Sequence, residues 1–271
     1  LFEKICKLPE YYLTRTEISI LKKLDDKLSA YMDEEFRLVE LGSGSSYKTR
    51  ILISIFEKLQ KHLEYFPIDI SKILKESTTT LLDDYENLHM TGIIDNYESG
   101  LEFVKNYDDK KNLIVFLGSS FGNFDYESGL RFLHKINSSM KDGDLFLIGL
   151  DLVKDKDILE QAYNDSQDIT AQFNLNVLSR INSELDSNFN VDKFAHYATF
   201  NESKNRIELY LRSLENQSVS ITKAGIMLEM KKDELIHTEN SYKYTIPKIK
   251  EMFSNTGFQI RVNRFDSRQA F

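Results

Sequence analysis

The sequence is poor in the residues that staple or punctuate a chain. Among 271 residues there is one cysteine, Cys6, which excludes an internal disulfide framework and a cysteine-cluster zinc site; a reducing compartment is the simpler reading. Three prolines and eleven glycines are scattered singly, so no Pro/Gly linker divides the chain, and no repeat or low-complexity tract occurs. No apolar run approaches the ~18–20 residues of a membrane-spanning helix, and no basic-then-apolar stretch opens the given sequence; a cytoplasmic location without a membrane partner is expected. Basic residues are outnumbered 43 to 35, and the net charge of −8 argues against a broad phosphate-binding surface, hence against a nucleic-acid partner. The five histidines show no His-x-x-x-His spacing and no Gly-x-Ser-x-Gly motif appears, so neither a metal site nor a nucleophile elbow is expected.

What is present is a rhythm of short apolar runs between helical stretches. Residues 37–41 precede Gly42, 64–68 precede Asp69, 90–94 precede Asp95, 113–117 precede Gly118 and 145–150 precede Asp151. Runs apolar on both faces that alternate with helices read as buried parallel strands in a doubly wound α/β sheet. Before the first run, Thr14-Arg15-Thr16-Glu17 has the spacing of a capping box, followed by Ile18, Leu21, Leu24 and Leu28 at helical spacing. After Asp151 the rhythm changes. A helical stretch over 155–185 is expected, then strands at 205–212, 216–222 and 225–231 with a turn at Ala224-Gly225. A helix carrying Ile246, Ile249, Met252 and Phe253 stops near Gly257, and a strand through Phe258, Ile260 and Val262 follows. The expected organisation is an α/β domain over 15–152, completed by 244–271, with 153–243 as an inserted lobe on which residues 1–14 pack.

Three loops at strand ends carry chemistry. In Glu40-Leu41-Gly42-Ser43-Gly44-Ser45-Ser46-Tyr47-Lys48, glycines let the backbone pass close to a ligand at a helix N-terminus. A dinucleotide fingerprint wants a small residue where Tyr47 stands, which disfavours a nicotinamide oxidoreductase and suits a ligand without a diphosphate. Asp69 ends the second strand, where a carboxylate takes ribose hydroxyls; a helix N-cap is the alternative there, as a solvated surface lysine is for Lys48. In Gly118-Ser119-Ser120-Phe121-Gly122-Asn123, small residues keep a ligand approachable, and Asn123 either orients an acceptor amine or bonds its own turn. Elsewhere, the hydroxyls of Tyr11 and Tyr163 suit a carboxylate, and Glu239 with Ser241 suits a polar NH-bearing ring, although tyrosines are more often boundary residues and an exposed glutamate is usually just solvated.

These pieces, in this order, resemble the L-histidine Nα-methyltransferases of ergothioneine biosynthesis. The matching stretches include Leu8 to Tyr12 with Thr14 to Glu17, Val39 to Ser45 with Lys48-Thr49-Arg50, and Val115 to Ser119 with Gly122-Asn123. They continue through Asp151 to Asp155, Ala162-Tyr163, and Thr238-Glu239 with Ser241 and Lys243. The resemblance implies a class I, Rossmann-like methyltransferase fold with an inserted substrate-binding lobe. It implies S-adenosylmethionine as methyl donor and conversion of L-histidine to its trimethylated form, hercynine; small-molecule partners and a monomeric state are expected. It assigns Tyr11, Asn123 and Tyr163 to the amine and carboxylate of the acceptor, Glu239 and Ser241 to the imidazole, and places Phe2 and Thr170 at the same pocket. For the donor it implies Gly42, Lys48, Asp69 and Gly118, with Asn96 and Tyr97 standing where the family usually has Asp-Phe beside the adenine. The alternatives are methylation of another small amino acid or amine on the same scaffold, and a non-catalytic homologue that binds the same ligands.

Overall fold

A computed structural model describes residues 1–32, 34–43, 47–71, 74–266 and 271. Its contacts divide the chain into two compact units, one of residues 15–152 and 244–271, the other of residues 1–14 and 153–243. The chain opens with the helices α1 (Phe2–Ile5), α2 (Tyr12–Leu21) and α3 (Asp25–Leu28). The expected capping box does not form, because Thr14 already lies inside α2 and the Glu17 side chain is buried and bonded elsewhere.

The first unit is built on a parallel sheet. Its strands are β1 (Phe36–Leu41), β2 (Leu63–Asp69), β3 (Leu88–Met90), β4 (Ile93–Ile94), β5 (Lys111–Phe116) and β6 (Leu145–Ile148). The order is β3-β2-β1-β5-β6, with β4 also on β2, so the chain winds outward from β1 in one direction and then, from β5, in the other. The helices α4 (Tyr47–Leu59), α5 (Leu74–Asp84), α6 (Tyr97–Tyr107) and α7 (Tyr126–Ser139) make the crossovers. This is the doubly wound α/β fold, and its ligand crevice is expected where the winding reverses, at the carboxyl ends of β1 and β5.

Leu38, Leu52, Phe56, Leu113 and Val115 are buried together with Leu21 and Leu24, so the helical leucine spacing near the N-terminus does face a core. One buried position is not apolar. Arg37 in β1 is fully enclosed, and its charge is met by Glu64 at 3.0 Å and by Asp108, while the guanidinium lies over the Phe66 ring at 4.4 Å. Caps fix the helix starts: Asn96 accepts from the Ser99 N–H, Asp125 from the Ser128 N–H, and Thr245 from the Lys248 N–H.

The second unit contains α8 (Lys156–Gln161), α9 (Ile169–Leu185), an antiparallel sheet of β7 (Phe194–Asn201), β8 (Arg206–Ser213) and β11 (Leu235–Tyr242) in the order β11-β8-β7, and a hairpin of β9 (Gln217–Ile221) and β10 (Ile226–Met230). The single helix expected over 155–185 is two. Between them the Asp165 carboxylate takes the N–H groups of Gln167, Ile169 and Thr170 at 3.1, 2.9 and 2.8 Å, and Asp168 turns left-handed at φ 55°. Those bonds satisfy the orphan donors of a new helix start, which periodicity alone does not reveal. Leu178, Phe189, Phe194, Leu211 and Val219 form this unit's core.

The chain leaves the parallel-sheet unit after Leu152 and re-enters it at Tyr244; these two residues are bridged in parallel, and the Tyr244 N–H donates to the Asp151 carbonyl. The last helix, α10 (Ile246–Asn255), follows. The strand expected through Phe258, Ile260 and Val262 does not form. The Phe258 N–H is drawn back to the Phe253 carbonyl, its ring packs on Phe146 and Phe253, and the apolar side chains line a cavity of about 800 Å³ beside β6 instead of pairing with it.

Candidate active site

Each unit gathers its own share of the expected residues. In the parallel-sheet unit they collect at the carboxyl ends of β2, β1 and β5, three neighbouring strands. Gly42 follows β1 at φ 71°, and a Cβ there would lie 2.9 Å from the Tyr97 hydroxyl, so only glycine fits beneath that ring. Tyr97 starts α6 and is held edge-on by Phe116 and Phe132. Burial, then the charge of Asp69, pushes the Tyr97 phenol above its ordinary value. The Asp69 Oδ1 accepts from the Ser71 N–H at 2.8 Å, and the expected helix start after it falls partly outside the described residues; α5 is described from Leu74. Gly44, Ser45 and Ser46 of the glycine loop lie outside the described residues, as do Lys72 and Ile73. Asn96, expected beside an adenine, spends its amide oxygen on the α6 cap and its amide N–H on Asp95, and so fixes where Tyr97 stands.

Lys48 is not a solvated surface lysine. Its ammonium pairs with Glu17 at 2.6 Å and lies 3.2 Å from where a Gly118 Cβ would be. The same Glu17 carboxylate accepts the Gly118 N–H, at 2.9 and 3.0 Å to its two oxygens. Glu17 therefore ties α2 to the start of α4 and the end of β5, a role its capping-box spacing had masked. Gly118 and Ser119 are consecutively left-handed, at φ 84° and 57°, and the buried Ser119 hydroxyl accepts from the Asp151 N–H at 3.3 Å. Such a bend needs glycine first and stores strain at the second residue. It leads into one 3₁₀ turn (Ser120–Asn123) that leaves Asn123 exposed at the strand end, with no side-chain hydrogen bond among the described residues.

One further carboxylate lies buried in the strand before Gly42. Glu40 is entirely buried in β1 and accepts from Thr49 at 2.6 Å and Tyr65 at 2.5 Å. Burial raises its carboxyl above the ordinary range despite those two donors.

The other unit holds the remaining residues. Tyr11 and Tyr163 pack edge to face at 6.1 Å between centroids. The Tyr163 hydroxyl lies 2.8 Å from the Ser241 hydroxyl, and the buried Lys243 donates to both, at 3.1 and 2.9 Å. Glu239 stands two residues before Ser241 on β11, hence on the same face. The register shift between His237 and Glu239 sets that face: Thr238 turns its hydroxyl back to the Leu209 carbonyl, and Glu239 takes the place opposite Leu209. Burial raises the Glu239 carboxyl, and the charge of Lys243 opposes that rise.

His196 braces this cluster from behind. The Asn174 amide N–H donates to its Nδ1 and to the Tyr210 carbonyl, so the His196 Nε2–H donates to the Tyr163 carbonyl at 2.8 Å. Burial holds the imidazole below its ordinary value. Thr170 sits in the first turn of α9 with its N–H on Asp165, and Phe173, one turn on, faces the Phe2 ring at 6.5 Å; Phe2 is exposed. The sequence reading missed Glu17, Lys243 and His196 as members of these clusters. For Lys243 the signal was present, since 239, 241 and 243 share strand parity.

The arrangement offers two chemistries. The strand ends provide glycine backbones, a carboxylate and a lysine, suited to a ribose and an amino-acid tail. The β11 face provides a carboxylate acceptor and a hydroxyl pair backed by an ammonium, suited to a small polar ring. Among the described residues no group of His, Cys, Asp or Glu is placed to hold a metal ion, and no helix is long and apolar enough to cross a membrane.

The model of the SAM-dependent histidine-specific methyltransferases matches residues 1–271. The chain belongs to this family. Relatives at whole-domain scale agree. It is 36% identical to the histidine N-alpha-methyltransferase of Mycobacterium tuberculosis over 90% of this chain and 75% of that one. It is 34% identical to the histidine N-alpha-methyltransferase of Mycolicibacterium smegmatis over the same shares. It is 27% identical to ergothioneine biosynthesis protein 1 of Schizosaccharomyces pombe over 98% of this chain and 35% of that one.

Proposed function

We propose that this methyltransferase moves methyl groups from S-adenosylmethionine to the α-amino nitrogen of L-histidine, three in succession, yielding hercynine for ergothioneine biosynthesis. It works as a cytoplasmic monomer on small molecules. The observation that carries the reading is the β11 face: Glu239 and Ser241 stand two residues apart, and Ser241 is hydrogen-bonded to Tyr163, in a chain of this family. An imidazole needs an acceptor for one nitrogen and a donor for the other, and this face supplies both.

The strand ends fit the methyl donor. Gly42 and Gly118 leave room that a Cβ would fill, Asp69 suits the ribose hydroxyls, Lys48 suits a carboxylate, and Tyr97, fixed by its Asn96 cap, suits the adenine. When bound there, the sulfonium supplies an electrophilic methyl group and needs no acid to activate it. The chain's own work is placement. Tyr11, Asn123 and Tyr163 hold the acceptor's amine and carboxylate, with Phe2 and Thr170 beside them. Holding nitrogen, methyl and sulfur in line is worth ~7–11 kcal/mol of barrier. The amine must lose a proton before each transfer, and amide and phenol dipoles orient its lone pair without a formal negative charge that favours ammonium. A trimethylated nitrogen has no N–H left to donate and carries a fixed charge, which promotes release.

Incubating the chain with S-adenosylmethionine and a panel of free amino acids, with mass detection, tests this. Histidine heavier by one, two and three methyl groups is expected. Transfer to another amino acid in preference to histidine overturns it.

A further inference from the structure

We infer that Lys243 is a positioning residue for acceptor specificity: by donating to both the Tyr163 and the Ser241 hydroxyls, it makes the Ser241 end of the β11 face a hydrogen-bond donor, opposite in polarity to Glu239. This rests on the reading of Glu239 and Ser241 as the contacts of the acceptor ring.

The argument is a count of protons. Tyr163 and Ser241 carry one hydroxyl proton each and stand 2.8 Å apart, so one of the two protons is spent between them. Lys243 brings donors only and occupies an acceptor position on each oxygen, at 3.1 Å on Tyr163 and 2.9 Å on Ser241. Whichever hydroxyl donates to the other, one O–H is left over for a ligand. A ring nitrogen lone pair arriving at Ser241 selects the arrangement in which Tyr163 donates to Ser241 and Ser241 donates outward.

Without Lys243 the same oxygens regain acceptor capacity, and the pair accepts an N–H as readily as it donates one. The ring contact then loses its polarity. Lys243 also acts on the opposite pole. Its charge favours the ionised form of Glu239, which burial disfavours, and only the ionised carboxylate is purely an acceptor. The pocket so built asks for a neutral ring with one N–H and one lone pair, a demand that an imidazole meets and an indole or a phenyl ring does not. The titratable groups about Ser241 are Glu239, Tyr163 and Lys243, with Tyr11 against the Tyr163 ring and His196 on the Tyr163 carbonyl. Lys243 and Ser241 are both buried, which keeps water from satisfying these atoms in place of the ligand.

The test compares the whole chain with Lys243→Met, Lys243→Gln and Lys243→Arg, using calorimetry with histidine and with S-adenosylmethionine, and steady-state rates across pH. Lys243→Met is expected to raise the histidine KM about 10- to 100-fold, the loss of hydrogen bonds to a charged group, with kcat within about threefold and donor affinity unchanged. Its acidic limb of kcat/KM should move to higher pH, because Glu239 loses the charge that favours ionisation. Lys243→Arg should restore part of the affinity and part of the limb. If Lys243→Met does not fold, as loss of donor binding would reveal, the milder Lys243→Gln carries the same comparison. Histidine affinity unchanged in the folded variant, or an Arg variant as impaired as Met with an unmoved acidic limb, overturns the inference. Absence of histidine binding by the unsubstituted chain overturns instead the reading on which it rests.

Discussion

A Cβ built on Gly149 would lie 1.8 Å from Oε1 of Glu17 and 3.0 Å from its carboxyl carbon. Gly149 is thus the space into which the Glu17 carboxylate fits on its way to the Gly118 N–H and Lys48. Gly149→Ala is expected to destabilise the protein by about 1–3 kcal/mol, the usual cost of overpacking a filled site, and to weaken S-adenosylmethionine binding. Denaturant titration and calorimetry measure both. In a Glu17→Ala background the same substitution should cost far less, and an equal cost there would deny the contact.

Glu239→Ala should chiefly weaken histidine. A buried acceptor lost from a polar ring is worth about 1.5–3 kcal/mol, roughly 10- to 150-fold in affinity. Donor binding, proposed for the ends of β1, β2 and β5, should stay within twofold. Calorimetry with each ligand separates the two, and unchanged histidine affinity removes Glu239 from the pocket.

Asn123→Ala should depress turnover more than donor affinity, by about 10- to 100-fold in kcat if one orienting hydrogen bond to the amine is lost. Equal loss of turnover and of donor binding would reassign Asn123 to the methyl-donor side.

His196 makes stability depend on pH. Burial depresses its folded-state pKa, so the native protein keeps the ring neutral while the unfolded chain protonates it near ~6.5. Stability from this group is therefore constant above about pH 6.5 and falls as pH drops below that value, until the folded ring itself titrates. Urea unfolding of the protein and of His196→Gln between pH 5 and 7.5 should show their difference narrowing toward low pH. A pH-independent difference would contradict the assignment.

The sheet was legible because β1, β2 and β5 are buried on both faces, and buried parallel strands advertise themselves as apolar runs. Even there, Arg37 sits fully enclosed in β1, made tolerable by Glu64 and Asp108, which are distant in sequence. The strands β7 and β11 were not legible. Their polar residues, among them His196, Glu239 and Ser241, break the alternation because they face a cluster of hydrogen bonds. Glu17 shows the same limit from the other side. Its spacing from Thr14 is that of a cap, but a carboxylate that meets an ammonium and a backbone N–H gains more by turning inward than by closing its own helix. The tyrosines and the Glu239–Ser241 pair were found through likeness to a family, since isolated polar residues carry no period.

The bridge between Leu152 and Tyr244 has an architectural consequence. Departure and return of the chain lie side by side, so residues 153–243 form a loop closed at its neck. A short splice from Leu152 to Tyr244 would leave every ladder of that sheet whole. On the proposed division of roles, lineages that exchanged the looped-out segment would have been able to alter most contacts to the molecule being alkylated while inheriting those to the alkylating agent.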